Sequence, residues 1–218
     1  MKHMSLAEIA SACGGTYVGD DGLKSVEVTG VVIDSRKVEP GFLFAAVKGE
    51  RVDGHSFIPA VFAKGAACVL CEDAPEHPAG PYIQVASTLK ALKDLAAYYR
   101  STLTIPVVGI SGSVGKTSTK EMIASILGQH FHVLKTEGNF NNEIGLPLTI
   151  FRIREEHEAA VLEMGISDFG EMTRLARMAK PTVCVLTNIG LCHLENLKTR
   201  DGILKAKTEM FEQAMPGA

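Results

Sequence analysis

Gly112, Gly115, Lys116 and Thr117 fall within one run, Gly109-Ile-Ser-Gly-Ser-Val-Gly-Lys-Thr-Ser-Thr-Lys-Glu121, whose residue types suit the holding of phosphate. Glycines at 112 and 115 let the backbone turn tightly and aim its N–H groups at an anion in front of a helix N-terminus. Lys116 is then a point charge for outer phosphates, and the Thr117 hydroxyl is a ligand for Mg²⁺. Gly112, Ser113, Val114, Gly115, Lys116, Thr117 and Ser118 are therefore the candidate nucleotide-phosphate contacts. The Walker pattern places its first glycine where Ile110 stands, and Gly109 comes one place early. A bare Gly-Lys-Thr match arises by chance; what sets this one apart is its place between an apolar strand, Pro106–Ile110, and a helix over Lys116–Gly128.

Further polar residues follow two other apolar runs. Ala159–Glu163 ends in a carboxylate suited to a hard cation, and Glu163 beside Thr117 would make sense for Mg²⁺; a solvated strand end is the plainer alternative. Val183–Thr187 continues through Asn188 to His193, which by itself reads equally well as a surface histidine. Asn139-Phe-Asn-Asn142-Glu-Ile-Gly-Leu-Pro147 is dense in amides and suits either a capped turn or a polar clamp for an acceptor-rich substrate. Asp34-Ser35-Arg36-Lys37 and Lys48-Gly49-Glu50, with Asp53-Gly54-His55, each follow an apolar run; they are either polar turns or a second anion site using Arg36 and Lys48.

These residues need elements to hold them. Ser5-Leu-Ala-Glu8 forms a capping box for a short helix to about Cys13, stopped by Gly14-Gly15. Val26–Ile33, Phe42–Val47, Ala67–Leu70 and Tyr82–Val85 read as strands, and Ser56–Lys64 and Thr88–Arg100 as amphipathic helices. From Ile105 strands alternate with helices, including one over Asp168–Ala179, which implies parallel βαβ units with ligands beyond the strands' carboxyl ends. The fold class is thus α/β, with a mixed α/β module over residues 1–104 and a nucleotide-binding type module over 105–218 that ends with fewer strands than a doubly wound sheet usually has.

Bulk properties narrow the function. The 218 residues are 46% hydrophobic and 22% charged with a formal charge of −3, which gives no general attraction to nucleic acid or anionic lipid. No apolar run approaches the ~20 residues of a membrane span, and the first residues lack the apolar core of a secretory signal. The odd, scattered set of five cysteines fits reduced thiols in a cytoplasm. Cys68-Val-Leu-Cys71 has metal-ligand spacing, but its apolar surroundings favour a core strand and no second pair completes a zinc site.

Taken in order, the segments resemble the Mur ligases of bacterial cell-wall synthesis, most closely those adding D-alanyl-D-alanine, from Asp34 to Lys207. Ser111–Thr119 resembles that family's phosphate loop with its displaced glycine, and Thr136–Pro147 is the most discriminating segment. Glu163-Met-Gly165, Thr187–His193 and Ala206–Phe211 resemble the remaining central motifs. The resemblance implies ATP-dependent addition of D-Ala-D-Ala to UDP-MurNAc-tripeptide through an acyl phosphate, with ATP and Mg²⁺. It implies catalytic roles for Lys116, Glu163, His193 and Lys207, and metal ligation by Thr117, Glu163, His193 and a carbamylated Lys207. Substrate contacts would come from Ser35, Arg36, Lys48, Asn139, Asn141 and Asn142, in a cytoplasmic monomer. The family has a UDP-binding domain, an ATPase domain and a third domain. A chain stopping at Ala218 would lack part of that architecture and would not turn over alone. Two other readings are a folylpolyglutamate or cyanophycin synthetase type of ligase, and a non-catalytic nucleotide-binding module.

Overall fold

The computed structural model describes residues 1, 3–49 and 52–217; Glu50, from the candidate anion site, lies outside them. The chain divides into two compact units, Met1–Leu95 and Ala96–Ala218.

The first unit opens with α1 (Leu6–Ala12). As the sequence predicts, the Ser5 hydroxyl accepts from the Glu8 N–H at 3.3 Å, and the Glu8 carboxylate accepts from the Ser5 N–H at 2.8 Å. Next come β1 (Thr16–Val18), β2 (Gly30–Val32), β3 (Phe42–Ala45), α2 (Ile58–Ala63), β4 (Cys68–Cys71), β5 (Tyr82–Gln84) and α3 (Thr88–Ser101), within which the division between the units falls. The sheet order is β1-β5-β4-β3-β2, parallel except for the antiparallel β1–β5 pair. Strand β4 sits at its centre, and all four of its side chains are buried. The Cys68-Val-Leu-Cys71 run is therefore core: burial pushes both thiols up, Cys71 to about 11. Two expected spans are shorter than the apolar pattern suggests. Only Gly30–Val32 of the Val26–Ile33 run joins the sheet, and α2 begins at Ile58 after a 3₁₀ turn over Gly54–Phe57, with Pro59 in its first turn.

The second unit consists of β6 (Val107–Ser111), α4 (Lys116–Leu127), β7 (Val133–Lys135), α5 (Gly145–Ile150), β8 (Ala159–Glu163), α6 (Glu171–Ala179), β9 (Val183–Leu186), α7 (Leu194–Leu197) and α8 (Arg200–Glu212), with strands and helices alternating as far as β9. The sheet order is β7-β8-β6-β9 and every pair is parallel. Strands β6 and β8 are buried along their whole length, which is why they read as continuous apolar runs rather than alternating ones. The chain leaves β6 towards β7 and β8, then returns on the other side of β6 as β9. The carboxyl end of β6 thus lies where the strand order reverses, the place where open parallel sheets bind ligands.

Three details differ from the sequence reading. Helix α6 starts at Glu171 rather than Asp168, because Gly170 takes a left-handed conformation (φ 74°). There the Glu209 carboxylate accepts the Gly170 N–H at 3.2 Å and the Thr173 N–H at 3.1 Å. Strand β7 has no counterpart in the sequence pattern, since three residues carry too little periodicity to register. The amide-rich segment ends in helix α5, whose Gly145, Leu146, Pro147, Thr149 and Ile150 are buried.

Candidate functional site

The carboxyl end of β6 opens into the glycine-rich loop. Gly115 is left-handed (φ 82°) and precedes α4 directly, with no side chain capping the helix. The N–H groups of the first turn therefore keep no intrahelical partner and stand at the positive end of the helix dipole. Gly112 has φ 144°, and a Cβ there would lie 1.9 Å from Thr187 Oγ1. That hydroxyl donates to the Val114 carbonyl at 2.7 Å. Asn188 braces the loop twice: its carbonyl accepts from Ser113 N and its side-chain Oδ1 from Val114 N, both at 3.1 Å. The Ser113 hydroxyl meets the next turn, accepting from Gly190 N at 2.9 Å and from the Cys192 thiol at 3.2 Å. Lys116 Nζ folds back over the loop and donates to the Gly112 carbonyl at 2.9 Å.

Beside the loop, β8 delivers Glu163, which is only 3% exposed. Its two carboxylate oxygens are divided between two donors: the Thr117 hydroxyl reaches Oε2 at 3.0 Å and Asn141 Nδ2 reaches Oε1 at 2.9 Å. The Glu163 N–H donates to Thr136 Oγ1 at 2.9 Å. The pairing of Thr117 with Glu163 expected from their types is thus formed by direct contact, and the alternative of a solvated strand end does not hold. Among the described residues no group of three or more His, Cys, Asp and Glu side chains is placed to hold a metal ion. A hydroxyl, one carboxylate and a neighbouring amide suit Mg²⁺, which keeps several waters and takes its other oxygens from phosphates rather than from an all-protein cage.

Lys207 lies on α8 and is 1% exposed, so it is not a solvated helix lysine. Burial pushes its ammonium below the ordinary value; Cys192 opposes that shift and the charge of Lys116 adds to it. This places Lys207 within electrostatic reach of the loop. His193, next to Cys192, is exposed and sits in a left-handed conformation (φ 52°) at the start of α7. Its ring makes no hydrogen bond to Thr117 or Glu163 among the described residues.

The three asparagines separate. Asn141 holds the Glu163 carboxylate; Asn142 Oδ1 accepts from Gly145 N at 2.8 Å and so initiates α5; Asn139 is exposed, its carbonyl accepting from Asn141 N at 2.7 Å. In the first unit Ser35 and Arg36 lie in a 3₁₀ turn. There Arg36 makes a two-pronged pair with Asp34, at 2.9 and 2.8 Å, and holds that carboxyl at about 2. Lys48 donates to Asp73 at 2.7 Å. His55 supports that corner: Nε2 accepts from Glu72 N at 3.0 Å, so the proton is on Nδ1, which faces Asp53 at 2.6 Å. Both cations thus already have carboxylate partners, and the polar-turn reading describes their local geometry.

Sequence reasoning gave no individual role to Lys120 and Thr136, both buried; Thr136 accepts the Glu163 N–H and Lys120 donates to the Thr136 carbonyl. A signal for Lys120 existed, since it falls four residues before Ala124 on the inward stripe of α4. The bracing roles of Thr187 and Asn188 depend on a contact 74 residues away and left no local signal.

A Mur ligase middle-domain model matches residues 110–218, and a model of the Mur ligase family catalytic domain matches residues 27–100. The UDP-N-acetylmuramoyl-tripeptide–D-alanyl-D-alanine ligase of Bacillus subtilis (strain 168) is 45% identical over 97% of this chain and 46% of its own length. The enzyme of the same name from Escherichia coli (strain K12) is 37% identical over 97% and 46%. A crystal structure of MurF from Acinetobacter baumannii superposes with a TM-score of 0.90 at 35% identity, over 99% of this chain and 47% of that one. The MurF ligase from Thermotoga maritima in complex with ADP gives 0.78 at 37% identity, over 87% and 44%. The chain spans about half the length of the curated relatives it matches. The paired family models, and the loop and carboxylate brought together at one end of a parallel sheet, agree: the chain belongs to the Mur ligase family.

Proposed function

We propose that the protein carrying this chain is an ATP-dependent ligase that adds D-Ala-D-Ala to UDP-MurNAc-tripeptide in the cytoplasm. The terminal carboxylate of the tripeptide would take the γ-phosphoryl group of ATP, and the dipeptide amine would displace phosphate from the acyl phosphate to form the amide. The observation that carries this reading is the Thr117–Glu163 contact at the mouth of a glycine-rich loop, in a chain 45% identical to a ligase of that name.

In this reading the protein supplies position and charge rather than a nucleophile. The open N–H groups at the start of α4, from Gly115 to Ser118, would hold the nucleotide phosphates, Gly112, Ser113 and Val114 would shape the loop around them, and Lys116 would exchange the Gly112 carbonyl for a phosphoryl oxygen as negative charge builds. Thr117 and Glu163 would hold Mg²⁺, and His193 with Lys207 would serve a second ion. Bound there, Mg²⁺ offsets phosphate charge. Burial favours the neutral amine of Lys207, which can add CO₂ and release a proton to give a carbamate, an oxygen ligand in place of an ammonium. Ser35, Arg36 and Lys48 are assigned to the UDP-sugar module, where Arg36 and Lys48 would exchange their carboxylate partners for substrate. Asn139, Asn141 and Asn142 are assigned to the substrate side of the loop.

Ligation tests the reading. The natural protein containing these residues, given MgATP, labelled D-Ala-D-Ala and UDP-MurNAc-tripeptide, should form the pentapeptide and release one phosphate per amide bond. Lys116→Ala should slow this by about a hundredfold or more. Phosphate release that is independent of the tripeptide, with no amide product, would refute it in favour of a nucleotide-binding module; activity on a folate or polymer substrate instead would favour another ligase.

A further inference from the structure

Lys120 is a lysine with a side chain 2% exposed, one turn beyond Lys116, in a helix whose other buried residue is Ala124. Burying an ammonium is costly unless it is hydrogen-bonded, so its partners matter. Its Nζ donates to the Thr136 carbonyl at 2.7 Å and lies 3.1 Å from the Glu121 carboxylate. Glu121 is itself shared with Lys135 of β7. Thr136 follows β7 directly, and its hydroxyl takes the Glu163 N–H at 2.9 Å, while its own N–H donates to the Val161 carbonyl at 3.0 Å. Glu163 returns to α4 through Thr117. The contacts therefore close a ring, Lys120 to Thr136 to Glu163 to Thr117, whose two ends sit three residues apart on one helix.

We propose that Lys120 is a positioning residue that fixes Glu163 against Thr117 by clamping the end of β7 to α4. The consequence for function rests on the reading of Thr117 and Glu163 as Mg²⁺ ligands. A rigid helix spaces Lys120 and Thr117, so the clamp sets how far the Glu163 backbone stands from the Thr117 hydroxyl. Asn141 then orients the carboxylate by holding Oε1, leaving Oε2 on the Thr117 side. Neither Lys120 nor Thr136 touches nucleotide or metal in this arrangement; both act through Glu163.

Lys120→Met keeps the aliphatic stem and removes the donor. Hydrogen exchange of the 218-residue chain reads the clamp without any ligand. The Glu163 amide should exchange about tenfold faster in the variant, while Val108 and Ile110 of β6 keep their rates. Equal acceleration across the unit, or none at Glu163, overturns the proposal, because a lysine that only stabilises the fold acts on the unit as a whole. The second reading is the ratio of ADP affinity with and without Mg²⁺. It should fall about tenfold in Lys120→Met, with ADP affinity in EDTA unchanged; an unchanged ratio overturns the proposal. If the unsubstituted chain shows no Mg²⁺ effect on ADP, the metal reading of Thr117 and Glu163 fails, and exchange at Glu163 alone decides the role of Lys120. Should Lys120→Met not fold, Thr136→Val removes the next link and leaves the carbonyl to Lys120. The same local acceleration at Glu163 is expected, and its absence refutes the ring.

Discussion

Gly112→Ala tests whether the phosphate loop is built around a forbidden Cβ. The residue has φ 144°, a region that side chains other than glycine rarely adopt, which costs about 1–3 kcal/mol. The added methyl would also lie 1.9 Å from Thr187 Oγ1, so the hydroxyl must rotate away and give up its bond to the Val114 carbonyl, about 0.5–1.5 kcal/mol. Together the substitution should destabilise the second unit by about 2–4 kcal/mol. The two parts separate in a cycle with Thr187→Ala, which removes the clashing hydroxyl beforehand. In that background Gly112→Ala should cost only the backbone part, so the cycle should show a coupling of about 1 kcal/mol. Urea unfolding followed through the amide signals of β6 and β8 reports on the second unit specifically. Equal costs in the two backgrounds, within about 0.5 kcal/mol, would refute the steric argument and leave backbone conformation alone.

Two further outcomes are expected. Asp34 should titrate at about 2 rather than near 3.8, because the Arg36 guanidinium and N–H hold its carboxylate. Its folded value is the lower one, so the pair's contribution is complete above about pH 4 and is lost as pH falls through 2; with Arg36 exposed to solvent, that contribution is small. Carboxyl NMR should find that midpoint and see it rise in Arg36→Gln; an unmoved midpoint rejects the assignment. Glu209→Ala removes the carboxylate that takes the Gly170 and Thr173 N–H groups and the Thr173 hydroxyl at the start of α6. It should cost the second unit about 1–2 kcal/mol in urea unfolding, and an unchanged midpoint would show that water replaces the carboxylate freely.

The chemistry was more legible in the sequence than the scaffold that holds it. Glycine, lysine and threonine between a strand and a helix announce a phosphate loop because backbone conformation and charge are local properties. Glu163 was legible because a carboxylate closing a fully apolar strand has few structural uses. Beyond pairs such as Thr117 with Glu163, the sequence hid which partner each residue takes. The Asn139–Pro147 segment looks uniform in composition, yet Asn141 turns to Glu163 while Asn142 starts a helix, and only tertiary contacts separate them. Arg36 finds its carboxylate two positions away in Asp34, but Lys48 is matched by a residue 25 positions away that its neighbours in sequence do not indicate. Short elements such as β7 are held by the sheet rather than by their own pattern, so they emerge only when the sheet is assembled.

The double brace from Asn188 settles from which side an anion can approach the loop. Ser113 and Val114 spend their N–H groups on Asn188. The loop therefore does not wrap a phosphate with a full ring of donors. What remains unspent is the cluster at the first turn of α4, from Gly115 to Ser118, facing along the helix axis. A phosphate chain held there is gripped at one end and left open along its flank. In the proposed reading, that open flank is the side from which a second reactant would reach it.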